Sequence, residues 1–201
     1  MERGERERAL VVKLGGSLYD SVPSLVPALS ASPRPLLIVP GGGPFADAVR
    51  QADPDDETAH WAAIAAMNRY GMHAASFGLP VTEQPALPEK TTVLLPLRCL
   101  KERDPLPHSW DVTSDTIAAW VAAELGLDLL LLKSVDGIPA AHGILERVSA
   151  VVETDIVDPL FIPFVLENTV ETFILNGRAP DLLARFLRGE PVPGTRISTT
   201  F

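Results

Sequence analysis

The chain has 201 residues, which is enough to bury a substantial core and fits one α/β domain over 1–201 better than two. Its formal charge of −9 argues against a nonspecific grip on nucleic acid or anionic membrane, both of which reward clustered Lys and Arg. The lone Cys99 permits no intrachain disulfide framework and no thiolate zinc cluster, so the expectation is ordinary packing for Cys99, a cytoplasmic setting and small-molecule partners.

The N-terminal stretch from Met1 to Arg8 alternates charges and lacks the apolar core of a secretory signal. Residues 9–14 are an apolar run ending in Gly15-Gly16-Ser17, and residues 35–39 are another ending in Gly41-Gly42-Gly43-Pro44. Continuous rather than alternating apolar strands indicate a sheet covered on both faces, as parallel sheets are. Pro44 suits the first position of a helix through about Arg50, because its missing N–H is no loss there. Residues 58–77 read as a long helix, with Trp61, Ile64, Ala65 and Asn68 at helical spacing and Met67 and Met72 as core fillers. Residues 93–95 predict a short strand, 101–108 a loop, 115–125 a helix, 128–132 and 173–175 strands, and 181–187 a last helix. No apolar run approaches the roughly 20 residues that cross a bilayer. Alternating strands and helices select an α/β fold whose ligands gather at strand carboxyl ends, where the glycine turns fall.

Lys13-Leu14-Gly15-Gly16-Ser17 puts a cation at a strand end, before glycines whose backbone amides can close around phosphate oxygens. The bland reading is a strand-end lysine and an ordinary turn. Gly41-Gly42-Gly43 forms a second concavity backed by a helix dipole, or else a flexible loop. Two such cradles can flank one transferred phosphoryl group. Neither string matches the P-loop or the Gly-x-Gly-x-x-Gly dinucleotide pattern. Thr113-Ser114-Asp115 before an apolar helical run also reads as an N-cap cluster. Lys133 is open to two readings, a second cation near phosphates or a strand-end lysine reaching water. His60 reads as partly exposed packing or as an acceptor contact. The acidic residues Asp53, Asp55, Asp56 and Glu57 favour the helix N-terminus, with metal ligation the lesser reading.

In order along the chain, these two glycine motifs, Thr113-Ser114-Asp115, Lys133-Ser134-Val135-Asp136-Gly137, Asn176-Gly177 and Gly194-Thr195-Arg196-Ile197 resemble the motifs of the amino acid kinase superfamily. That superfamily includes aspartokinases, acetylglutamate kinases and uridylate kinases. The resemblance implies a three-layer αβα sandwich with a largely parallel central sheet, the amino acid kinase fold. It further implies the phosphoryl acceptor in the N-terminal half, ATP with Mg2+ in the C-terminal half, and a homo-oligomer. By match to the motifs, Lys13 neutralises the moving phosphoryl group and the amides of Gly15, Gly16, Gly42 and Gly43 bind it, with Ser17 and Gly41 in the same phosphate cradle. Asp115 orients the lysines, while Lys133, Ser134, Asp136 and Gly137 belong to the nucleotide side; no side chain is assigned to a metal. Two departures stand out. Lys133 replaces the Thr or Ser that usually begins Thr-Asp-Val-x-Gly, and no later Gly-Lys segment supplies a second catalytic lysine, which leaves Lys133, Arg178 or Arg196 as substitutes.

More specifically, Ala59-His60-Trp61, Ala66-Met67-Asn68-Arg69-Tyr70-Gly71, Trp110-Asp111-Val112-Thr113-Ser114-Asp115 and Leu132-Lys133-Ser134-Val135-Asp136-Gly137-Ile138 are similar to the compact kinases of methanofuran biosynthesis. Those enzymes extend aminomethyl-furanmethanol phosphate to a diphosphate, so the resemblance implies an ATP-dependent phosphotransferase with that acceptor, contacted by Asp47, His60 and Ser114. Isopentenyl phosphate kinases typically carry a histidine soon after the glycine triplet, where this chain has Asp47. An aspartate repels phosphate but suits the acceptor's ammonium group. The rival readings are a noncatalytic nucleotide-binding sensor or assembly protein and a kinase for another small acceptor, such as an amino acid or carbamate.

Overall fold

Every residue of strand β1 (Leu10–Leu14) is buried, and alternate side chains enter two different apolar layers. A computed structural model describes residues 8–199 and shows where those layers come from. After β1 the chain makes a 3-10 turn (Gly16–Ser21), then α1 (Val22–Ser30), β2 (Leu36–Pro40), α2 (Gly43–Ala52) and α3 (Asp56–Ala75). There follow β3 (Val81–Thr82), β4 (Thr92–Leu94), α4 (Leu97–Arg103), α5 (Ser114–Leu125) and β5 (Leu129–Lys133). The chain closes with β6 (Arg147–Val148), α6 (Phe161–Glu167), β7 (Thr172–Asn176), α7 (Pro180–Leu187) and β8 (Thr195–Ile197). The charged N-terminal stretch, apart from Arg8, lies outside the described residues.

The eight strands form one sheet in the order β3-β4-β2-β1-β5-β7-β8-β6, parallel throughout except for the antiparallel pair β7 and β8. Because strand side chains alternate, Val11, Leu129 and Leu131 pack under α5 with Ile117, Val121 and Phe161, whereas Val12, Leu130 and Leu132 face Leu25, Leu29 and Leu183 on the other side. Helices therefore cover both faces, giving the expected αβα sandwich. β1 lies between β2 and β5, so successive connections leave it in opposite directions. Its carboxyl end is the switch point where α/β sheets open a ligand crevice.

Several local expectations are corrected. Residues 101–103 belong to helix α4 rather than a loop: Leu97 and Leu100 share an apolar face, and Arg98 pairs with Glu102 one turn on, outweighing the charge-rich appearance. α1 forms despite Pro27 because Val22, Leu25, Val26 and Leu29 all reach the core. Met72 is 54% exposed instead of filling the core, and Ala65 is on the exposed side of α3. Cys99 is buried, as expected. Among the described residues no helix is long and apolar enough to cross a membrane.

Candidate active site

The parity that builds the core also builds the site. Lys13 shares the strand face of Val11, and Lys133 that of Leu129 and Leu131, so both ammonium groups emerge on the α5 side of the sheet. The first turn of α5 meets them there. Asp115 Oδ1 lies 2.6 Å from Lys13 Nζ, and Asp115 Oδ2 accepts a hydrogen bond of 2.8 Å from Lys133 Nζ. Lys133 thus points into the site rather than to water.

Burial sets the electrostatics. It pulls the Lys13 ammonium down to about 8, against the upward pull of Asp115, while the nearby Lys133 cation adds to the fall. Burial pushes the Asp115 carboxyl up, but Lys13 and Lys133 together hold it below the usual carboxylate range. Asp115 does not cap its helix. Thr113 accepts from the Asp115 amide, and Asp158, from the loop before α6, accepts from both the amide and hydroxyl of Thr113 and of Thr116. Burial raises the Asp158 carboxyl despite those bonds, and the Asp115 charge nearby adds to the rise. Sequence reading missed Asp158, which lies 42 residues beyond Thr116 and stands in no motif.

The two glycine turns meet edge to edge. A Cβ on Gly41 would lie 2.7 Å from the Gly16 nitrogen, and one on Gly16 would lie 2.9 Å from the Gly43 nitrogen, so only glycine allows this approach. Gly43 also has φ +54, a left-handed turn that admits the chain to α2. One expected amide donor, Gly15, and one expected cradle residue, Gly41, are corrected: the Gly15 N–H bonds Leu132 O and the Gly41 N–H bonds Leu14 O, because the sheet ladder continues one residue past each strand. Those two glycines serve by their small size. Gly16, Gly42 and Gly43 line the open cleft itself.

That cleft has a volume of about 570 Å3, and Lys13, Ser17, Asp47, His60, Ser114, Asp115 and Lys133 line it together with those three glycines. Sequence reading had not singled out Arg50 or Trp110 as site residues. The Arg50 guanidinium lies 4.5 Å from the Trp110 ring centre and 3.2 Å from Asp47. Ser134, Asp136 and Gly137 fall outside the lining. Ser134 accepts from the Ser17 hydroxyl at 3.0 Å, Asp136 accepts from Asn176 at 2.8 Å, and Gly137 packs against Thr195. Arg196 lies near Glu171 and Phe173, and neither it nor Arg178 lines the cleft.

Known proteins resemble the chain in sequence and in fold. The sequence model described as the amino acid kinase family matches residues 8–155. The chain is 29% identical over 209 aligned positions to the [5-(aminomethyl)furan-3-yl]methyl phosphate kinase of Methanocaldococcus jannaschii, covering 93% of this chain and 96% of that protein. Uridylate kinase from Archaeoglobus fulgidus superposes with a TM-score of 0.71 at 17% identity, covering 94% of this chain and 99% of the other. UMP kinase from Ureaplasma parvum gives a TM-score of 0.70 at 17% identity, with 96% and 99% covered. An isopentenyl phosphate kinase gives 0.60 at 18% identity, with 94% and 100% covered.

Proposed function

The chain belongs to the amino acid kinase family and is a small-molecule kinase; from that premise we propose that it transfers the γ-phosphoryl group of ATP to a phosphomonoester bearing an amine, with aminomethyl-furanmethanol phosphate the favoured acceptor. The observation that carries this reading is the buried Lys13–Asp115–Lys133 triad, set beside two interlocked glycine turns in one cleft. Two ammonium groups and the turn amides provide a positive cradle for an anion whose charge spreads during transfer.

ATP supplies the phosphoryl group, and Mg2+ bound with it would neutralise part of its charge; an acceptor phosphate oxygen bonds to the transferred phosphorus as the bond to ADP breaks, leaving a diphosphate. Lys13 and Lys133 hold positive charge at that phosphorus, and Lys133 takes the place of the family's missing second lysine. Asp115 fixes both cations without leaving its place, since each carboxylate oxygen faces one ammonium. Because its carboxylate lies between two cations, Asp115 is not assigned as a metal ligand, and Mg2+ would enter with the phosphates of ATP. Gly16, Gly42 and Gly43 present amides to the phosphoryl group. Ser134, Asp136 and Gly137 shape the nucleotide side beyond β5.

On the acceptor side Asp47, His60 and Ser114 line the cleft with Arg50 and Trp110. An acceptor with an ammonium at one end and a phosphate at the other fits a cleft lined by both Asp47 and the two lysines. Magnesium dependence and self-association, on the strength of the family resemblance, and a cytoplasmic location, on the strength of the single cysteine, complete the reading. The test is ADP release by purified protein with ATP and Mg2+, with and without aminomethyl-furanmethanol phosphate, and the product identified by mass. Acceptor-dependent ADP and a diphosphate product are expected. Turnover with an amino acid or a carbamate instead would replace the acceptor, and ATP binding without turnover on any acceptor would overturn the kinase reading.

A further inference from the structure

A second constellation shares His60 with the cleft lining, while its other two members, Asp104 and His108, do not line the cleft. His60 comes from the start of α3, Asp104 from the left-handed residue that ends α4, and His108 from the loop that folds back over α3. One ligand atom from each lies within 4.8 Å of the other two. His108 Nε2 is 2.7 Å from Asp104 Oδ1, while His108 Nδ1 contacts Glu57 Oε2. The other Glu57 oxygen accepts from the Trp61 indole at 2.7 Å, so Glu57 is itself held in place. The His60 ring lies against His108, with 3.9 Å between ring centres.

We propose that His60, Asp104 and His108 form a binding site for a divalent transition-metal ion of the zinc class, separate from the phosphoryl-transfer centre. Glu57 accepting from His108 Nδ1 is the carboxylate–imidazole relay that orients a metal-bound histidine and fixes which ring nitrogen is presented to the ion. Two imidazoles and one carboxylate, with a fourth position for water, suit zinc or cobalt. Magnesium prefers an all-oxygen shell, so this ion is not the one that accompanies ATP. Binding displaces the hydrogen bond between His108 Nε2 and Asp104 and turns the stacked rings apart until both nitrogens point at the ion. The site would clip loop residues 104–111 to α3. That loop carries Ser109 and Trp110 into the cleft wall, so occupancy also fixes the acceptor side of the cleft.

The probe is Co2+, titrated without nucleotide into the chelator-stripped full chain. Visible d–d absorption saturating at one ion per chain is expected, with a rise in Tm. H60Q and H108Q should each abolish the signal, whereas H142Q, altering an exposed histidine outside the cluster, should keep it. E57Q should weaken binding by about 10-fold or more, because His108 Nδ1 loses its anionic partner. Because His108 also ties its loop to α3, D104N gives an independent check: it keeps a hydrogen-bond partner for His108 but removes the anionic ligand, and binding must fall. No stoichiometric binding, or binding unchanged in H60Q and D104N, overturns the site and leaves His108 as an imidazole clamped between Glu57 and Asp104.

Discussion

Lys13 and Asp115 form an ion pair of 2.6 Å in which both side chains are only 4% exposed, and Lys133 closes the same carboxylate from its other oxygen. A buried carboxylate with two cations is balanced only while all three are present. Lys13→Met should fold, because Lys133 still neutralises Asp115, yet lose about 100-fold or more in kcat, the scale of removing one preorganised charge stabiliser. Steady-state kinetics beside circular dichroism check this, and a folded Lys13→Met enzyme with full turnover would end the assignment.

Removing the anion instead should strike stability. Asp115→Ala leaves two ammonium groups facing each other out of water, with an expected loss of about 3–5 kcal/mol. Urea unfolding measures it. Adding Lys13→Met to Asp115→Ala should restore part of the loss, since the remaining Lys133 is the more exposed of the two lysines.

A buried lysine near 8 gives an alkaline limit. In the free enzyme Lys13 loses its proton as pH rises through about 8, so kcat/KM for the acceptor should fall above that pH. The Asp115 charge raises Lys13, so Asp115→Asn should move the limb to lower pH in whatever activity remains. The stability term has the opposite sense. The folded value lies below the unfolded 10.5, so the unfolded chain binds more protons between about 8 and 10.5, and Lys13 makes the fold more stable as pH rises through that window.

The cradle predicts a steric result. In Gly41→Ala the new methyl would meet the Gly16 nitrogen at 2.7 Å, and backbone on both sides leaves no flexible atom to yield. The turns must part, and a displacement approaching 1 Å at the transferring group lowers kcat/KM by about 100-fold. Gly78→Ala is the control: unlike Gly41 it sits at positive φ, and it has nothing within 4 Å, so the change should cost stability alone. Equal losses of kcat/KM in both variants would remove the cradle from the mechanism.

Much of this site was legible because its parts are local. A lysine at a strand end before two glycines, three glycines before a helix, and Thr-Ser-Asp before an apolar run each announce themselves within a few residues. Strand parity then explains why Lys13 and Lys133 share a face. The hydrogen bonds were not legible. Gly15 read as a phosphate donor and Gly41 as part of the cradle, but the sheet claims both amides, because how far a ladder runs depends on the neighbouring strand. α4 was hidden by its charges, and α1 by its prolines, since tertiary burial decided both. Arg50 and Trp110 meet across 60 residues of chain; Arg50 stands in no motif, and Trp110 opens a motif without any role of its own being legible there.

Asp158 is the residue on which the triad depends without touching substrate. Its carboxylate gathers four donors, the amides and hydroxyls of Thr113 and Thr116, and so anchors the start of α5 one residue from Asp115. Asp158→Ala leaves those groups buried or half-buried without their acceptor, an expected loss of about 2–3 kcal/mol. Asp158→Asn keeps one carbonyl oxygen for the same donors, so it should lose less. As a positioning residue Asp158 should act mainly on kcat, through the tilt of Asp115 and the lysines it holds, with KM for the acceptor moving less. Its alanine variant should also shift the alkaline limb set by Lys13, a readout that a purely structural role would not move. An alanine variant that is destabilised but keeps its kcat and its pH profile would reduce Asp158 to a helix cap.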